Sequence, residues 1–253
     1  NGQVGDVKNS CNDLNACFHF GESGQFGDME NSCNEMSACS YFGFMFGKIE
    51  GLEDSCNGEW SCYRASADRG SIGSIESSCN GYAACDSLAT EDGAAGDLND
   101  SCNAENSCNG AGQRGGVGDV TNSCNAANSC SSVGSDGGSV GSIIKSCNNQ
   151  KACFELGSFG GVAGDVNKSC NAENSCLSVA ALDGSIGSIT KSCNAFGACE
   201  YAGSGINGGI TSDLMKCCNT AGECVNAPAV PLSDKCISRT SKVRDYYCEP
   251  VVC

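Results

Sequence analysis

The chain has 253 residues, among them 24 Cys, 35 Gly and only 3 Pro, with 6% aromatic residues and a formal charge of −16. Such an acidic excess repels nucleic acid and anionic membrane surfaces and favours solubility through self-repulsion, so neither nucleic-acid binding nor membrane insertion is expected. No apolar run is long enough to cross a bilayer, and a chain that opens at Asn1 without a signal-peptide pattern reads as a processed secreted product.

So many Cys are sustainable as disulfides only in an oxidising compartment, which points to a secreted, extracellular location. A metal store is the rival explanation for the sulfur. The chain has no CxxC cluster, however, and its one His is His19, so zinc-type sites lack their usual partners. Charge is unevenly placed: residues 1–224 hold 10 Lys plus Arg against 27 Asp plus Glu, whereas 225–253 hold 4 against 3.

Along the chain a Cys recurs with Asn directly after it, at Cys11, Cys33, Cys56, Cys79, Cys102, Cys124, Cys147, Cys170, Cys193 and Cys218. Six residues after each stands a second Cys: Cys17, Cys39, Cys62, Cys85, Cys108, Cys130, Cys153, Cys176, Cys199 and Cys224. The period is 22 to 23 residues, stretched to 25 before Cys218. Self-similarity at that period means stacked supersecondary units rather than a domain with one central core. The predicted fold is all-β, a β-solenoid (parallel β-helix) of about ten coils over residues 1–227, closed by a Cys-rich cap over 228–253.

Within each coil the first element is a short strand. Seven places before the first Cys stand Val4, Phe26, Ile49, Ile72, Ala95, Val117, Val140, Ala163, Ile186 and Thr211. Four places before it the column is fully apolar: Val7, Met29, Leu52, Ile75, Leu98, Val120, Ile143, Val166, Ile189 and Leu214. A third apolar column, three places after the second Cys, runs from Phe20 and Phe42 through Leu88, Val133 and Leu156 to Ala227. β-Branched residues in short apolar segments with Gly at the junctions fit strands and corners, and that Gly density defeats helices of ten residues. Coils paired as parallel strands about 4.8 Å apart give a rod of roughly 50 Å.

The Asn after the first Cys is present in all ten coils, as Asn12, Asn34, Asn57, Asn80, Asn103, Asn125, Asn148, Asn171, Asn194 and Asn219. An amide both donates and accepts, so this column is expected to be structural, bonding along the rod and capping backbone at a bend. The preceding Ser, replaced by Cys217 in the last coil, is expected to serve the same corner. Two Cys six residues apart in a strand lie about 20 Å apart, whereas a disulfide needs Cα atoms about 4.4 to 6.8 Å apart. The segment between them must therefore turn back for a bond within the coil; bonds between stacked coils are the alternative. The constant offset beside a varying coil length favours the bond within the coil.

The coil length and Asn column resemble right-handed parallel β-helices, a family that includes polysaccharide lyases and hydrolases. The Cys spacing, with Ser before the first Cys and Ala or Ser before the second, resembles the bridge of beetle antifreeze solenoids. Those bind ice through Thr columns; the six Thr here form none. The Ser-Cys-Asn unit is most similar to secreted repeat proteins of unicellular algae and related protists. These resemblances imply architecture and leave activity open.

Among outward positions, the fifth before the first Cys is Asp or Ser in nine coils, and Asp6 with Asp28, or Asp97 with Asp119, are candidate ligands for Ca²⁺. Capping of the bend after Gly is the competing reading. Two places before the first Cys, the last four coils carry Lys145, Lys168, Lys191 and Lys216, a stripe suited to a neighbouring subunit or an acidic glycan. Asn99 and Asn167 stand in N-x-S sequons for glycosylation. Aromatic residues gather early, in Phe18, Phe44, Phe46, Trp60, Tyr63 and Tyr82, with the carboxyl half nearly bare of them. They offer a subunit contact or a sugar platform.

Cys217, Cys236, Cys248 and Cys253 stand outside the ten pairs. The amino end enters in register, and its acidic Asp6, Asp13 and Asp28 complement Lys235, Arg239, Lys242 and Arg244 near the other end. No coil breaks the repeat with a clustered acid, base and cation, so no enzyme and no catalytic cofactor is expected. The expected function is an extracellular structural rod that self-associates or joins other structural proteins; a solenoid binding ice or glycan is the alternative, and a polysaccharide-degrading enzyme the least favoured.

Overall fold

The computed structural model describes residues 2–19, 23–205 and 213–225, so the expected cap over 228–253, with Cys236, Cys248 and Cys253, lies outside the described residues. The chain is a parallel β-solenoid without helices among the described residues, making about nine turns. All strands join one sheet, each pairing in parallel with its equivalent one coil away. Gln25–Glu30, Lys48–Glu53 and Ser71–Glu76 are continuous, whereas later coils split the same stretch into two short strands, such as Ala94–Ala95 and Leu98–Asn99. Register follows the repeat: Phe26 pairs with Ile49, Ile49 with Ile72, and Ile75 with Leu98.

The apolar columns form the core. From Phe26 to Ile186 and from Met29 to Leu214, every described member of the first two columns is buried. So are Phe42, Ala65, Leu88, Ala111, Val133, Leu156, Val179 and Ala202 of the third, while Phe20 and Ala227 lie outside the described residues. Burying a Leu or Ile side chain contributes about 1.5–3 kcal/mol, but many positions in this narrow interior hold only Ala or Cys.

All ten Cys pairs close within their coils, with Cα atoms 5.5 to 5.7 Å apart. Between the two Cys the chain folds back through a turn, as where Ala38 N–H donates to Glu35 O and Ser107 N–H to Ala104 O. The reversal needs left-handed backbone at non-glycine residues. The first Cys of every pair has φ between 53° and 61°, and the residue two before it has φ between 48° and 57°.

Two side-chain columns hold that geometry. From Asn57 to Asn219 each Asn Oδ1 accepts the backbone N–H of the Asn one coil earlier, as Asn80 Oδ1 does from Asn57 at 3.0 Å. Its Nδ2 donates to the left-handed residue of the preceding coil, as Asn80 does to Asp54 O and Asn171 to Lys145 O. Amide thus meets backbone rather than amide; only Asn12 and Asn34 bond side chain to side chain, at 2.6 Å. The Ser column does more than its expected corner role. Ser32 through Ser192 are fully buried, and each hydroxyl accepts the N–H of the next coil's Ser while donating to a carbonyl two residues back. Cys217 continues this line with its N–H on Ser192 Oγ.

Ser123 donates to Thr121 O and lies near Ile143 O while accepting from Ser146. Ser123→Ala strands a buried N–H and is expected to cost about 1–3 kcal/mol in urea unfolding, against near zero for exposed Ser139→Ala. The inner bridges are buried, while Cys11 and Cys17 are only partly covered. Under limiting reductant the Cys11–Cys17 bridge is expected to open first, read by alkylation and peptide mass mapping; an inner pair opening first contradicts the stacked arrangement.

Candidate functional site

The outward positions carry whatever chemistry the rod offers, and the ladder has already engaged some of them. Asp28 Oδ1 accepts Asp6 N–H at 2.9 Å, and Asp119 Oδ1 accepts Asp97 N–H at 3.0 Å. The same bond joins Asp97 to Ser74, Asp165 to Ser142 and Asp213 to Ser188. These carboxylates therefore cap the bend of the coil before. The Gly at the bend makes room for the Asp of the next coil: a Cβ on Gly96 would stand 2.2 Å from Asp119 Oδ1. Among the described residues the only groups of three close ligand atoms are Cys sulfurs of adjacent bridges, each already in a disulfide. Ca²⁺ takes six to eight oxygens, and no trio of carboxylate oxygens gathers for it among the described residues.

The early aromatics do assemble. His19 stacks on Tyr41 at 5.1 Å, and Tyr41 meets Phe18, Phe44 and Tyr63 edge-on at 5.6 to 5.9 Å. Trp60 packs on Tyr63 at 5.0 Å. Coil stacking produces this, because side chains three residues or a whole coil apart fall side by side. Tyr41, Phe44, Tyr63, Arg64, Ala67 and Asp68 line an open cleft of about 330 Å³, with Arg64 3.8 Å from Asp68. Phe46 and Tyr82 are exposed, Phe46 at 70%. The carboxyl half is less bare than its sequence suggests, since Phe159, Phe196 and Tyr201 are also exposed.

A second, shallower trough of about 400 Å³ lies over the continuous strands and is lined by Asp28, Glu30, Glu50, Glu53, Ser74 and Glu76. Glu30, Glu53 and Glu76 recur at one position in three coils only, too short a column to stand out in the sequence. Lys145, Lys168, Lys191 and Lys216 are all exposed and in none of the chain's ion pairs among the described residues. Of the sequons, Asn99 donates to Glu76 at 3.1 Å, and Asn167 is half-buried with its Oδ1 shielded from solvent. Lys235, Arg239, Lys242 and Arg244 fall outside the described residues.

Two carboxylates are perturbed. Arg114 hydrogen-bonds Glu91 and holds its carboxyl below the usual range, while also meeting Asp136 at 3.2 Å. Acid that protonates Glu91 removes that stabilisation. Asp86 goes the other way: burial pushes its carboxyl up, against a hydroxyl bond from Ser87 and the charge of Arg64. Comparison with known proteins returns no matching family model, no similar curated protein and no similar solved structure.

Because burial disfavours the Asp86 carboxylate, its folded-state pKa lies above its unfolded value, and stability falls as pH rises between the two. Asp86→Asn keeps the acceptor for Ser87 and is expected to raise the unfolding temperature at neutral pH, with the gain closing in acid. A gain that persists unchanged at low pH contradicts the assignment.

Proposed function

We propose that the chain is a non-enzymatic extracellular structural rod that self-associates into a filament, wall layer or surface appendage. The repetition of one pairing edge from coil to coil carries this reading. Met29, Asn31, Ser37 and Cys39 donate their N–H groups to the coil before, and Cys62 and Cys85 do the same one and two coils on. Because coils repeat by translation, whichever coil stands foremost in the mature protein presents this same face. Unpaired parallel edges template further strands, and a head-to-tail contact that does not close makes a fibre. The intracoil bridges support the oxidising, extracellular setting.

A glycan-binding rod is the second reading, favoured by the Tyr41, Phe44 and Tyr63 cleft with its Arg64 and Asp68 polar edge. Aromatic faces beside a few polar groups suit sugar rings.

Light scattering on the chain at high concentration is expected to show elongated species whose length grows with concentration. Monodisperse monomer from the unaltered chain overturns the assembly reading. Titration with soluble oligosaccharides, monitored by Trp60 fluorescence, then tests the second.

A further inference from the structure

Two positions on one edge of the rod, the third and second before each first Cys, point outward and change sign along its length. Coils 2 to 5, counted by their first Cys from Cys33 to Cys102, carry Glu30, Glu53 with Asp54, Glu76, and Asp100 there, all exposed. Coil 6 carries neutral Thr121 and Asn122. Coils 7 to 10 carry Lys145, Lys168, Lys191 and Lys216, beside the uncharged Ile144, Asn167, Thr190 and Met215. The register is continuous, Glu30 with Glu53, Glu53 with Glu76, and Ile144 with Asn167 through Thr190 to Met215. Among the described residues neither set is neutralised, since no ion pair there uses any of these acids or lysines.

We infer that this edge is a self-complementary surface on which a second copy of the chain lies antiparallel. A two-fold axis through coil 6 sets coil 5 against coil 7, 4 against 8, 3 against 9 and 2 against 10. Asp100 then faces Lys145 of the second copy, Glu76 faces Lys168, Glu53 and Asp54 face Lys191, and Glu30 faces Lys216. The match holds at every step because both stripes share the coil spacing of about 4.8 Å, and the symmetry makes every pairing occur twice. A parallel copy staggered by five coils also opposes acid to Lys, but it satisfies only one stripe per neighbour.

Groups of opposite effect on the edge are few. Asp165 and Asp213 lie in the basic half, but each spends an oxygen on a neighbouring backbone N–H. Lys48 in the acidic half is held by Glu50 at 3.5 Å, and Lys8 lies on coil 1, beyond the paired coils. Nine coils span about 40 Å, and the outward strip is about 16 Å wide, giving roughly 600 Å² per partner. That reaches the lower end of specific interfaces, where charge pairing sets register. The face includes Asn99 and Asn167, so the pairing requires both sequons to be unmodified.

The test is sedimentation of the intact chain in low and high salt, with two charge-reversed variants. The unaltered chain is expected to dimerise in low salt and dissociate in high salt. Replacing Lys145, Lys168, Lys191 and Lys216 by Glu, or Glu30, Glu53, Glu76 and Asp100 by Lys, is expected to abolish the dimer. Mixing the two variants is expected to restore it as a heterodimer, which misfolded chains would not do. Carbodiimide cross-linking is expected to join Lys145 to Asp100 and Lys216 to Glu30. Cross-links from Lys145 to Glu30 instead, dimers indifferent to salt, or N-glycan on Asn99 of native material would overturn the proposal. Lateral pairing stops at two copies whereas end-to-end growth is open-ended, so failure of the one and failure of the other are read separately.

Discussion

The fold depends on holding ordinary L-residues in left-handed backbone at fixed places in every turn. Such a conformation costs roughly 1–2 kcal/mol for each non-glycine residue, and Cys79, Ser77 and Lys168 all adopt it without glycine's freedom. Three devices act together on that one corner. The bridge from Cys79 to Cys85 closes the reversal covalently. Asn103 Nδ2 takes the carbonyl of left-handed Ser77, and the Asn80 N–H is taken by Asn103 Oδ1. Ser78 beside it occupies a fully buried site, with its N–H and hydroxyl both bonded. On the loop-entropy model a seven-residue ring contributes somewhat over ~2 kcal/mol, so bridge and amide bonds together are of the size needed to offset the backbone cost.

The outward face follows from this corner. With reversal, capping and core assigned to Cys, Asn, Ser and one apolar residue in three or four, the remaining positions are released from packing. Some of them still serve neighbours, as Asp97 does for Ser74. The third and second positions before the first Cys serve none through their side chains in most coils, and it is there that charge changes sign from Glu30 to Lys216. Freedom from structural duty is what lets a strictly repeating rod carry a direction.

Much of the architecture was legible because its columns are columns of identity: the second Cys never leaves its offset of six, and the Asn never fails. The core was legible through hydrophobicity alone, down to Ala95 and Ala163 as buried members. Three things were not. The role of the Ser hydroxyl requires knowing that it faces inward, since Ser is as common on surfaces as in turns. The target of the Asn amide depends on which carbonyls the left-handed residues expose, a property of dihedral angles that no residue type announces. The aromatic cleft at Tyr41 and Tyr63 required the offset between coils, because rings a coil apart in sequence become neighbours only after stacking.

Among the described residues every bridge closes inside its own coil, and that has a mechanical meaning. There no covalent link other than the main chain joins one coil to the next, while hydrogen bonds between coils run along the rod axis. Tension applied end to end therefore loads these bonds directly, and the rod is expected to yield one coil at a time from an end. Each released coil cannot extend fully, since the six peptide links spanned by its bridge stay folded back; about 17 remain free, or roughly 60 Å of slack. When the load falls, the ring is still closed with its reversal set, ready to rewind onto the exposed coil beneath. A rod built this way lengthens in fixed increments and recovers, which a cross-braced rod could not do.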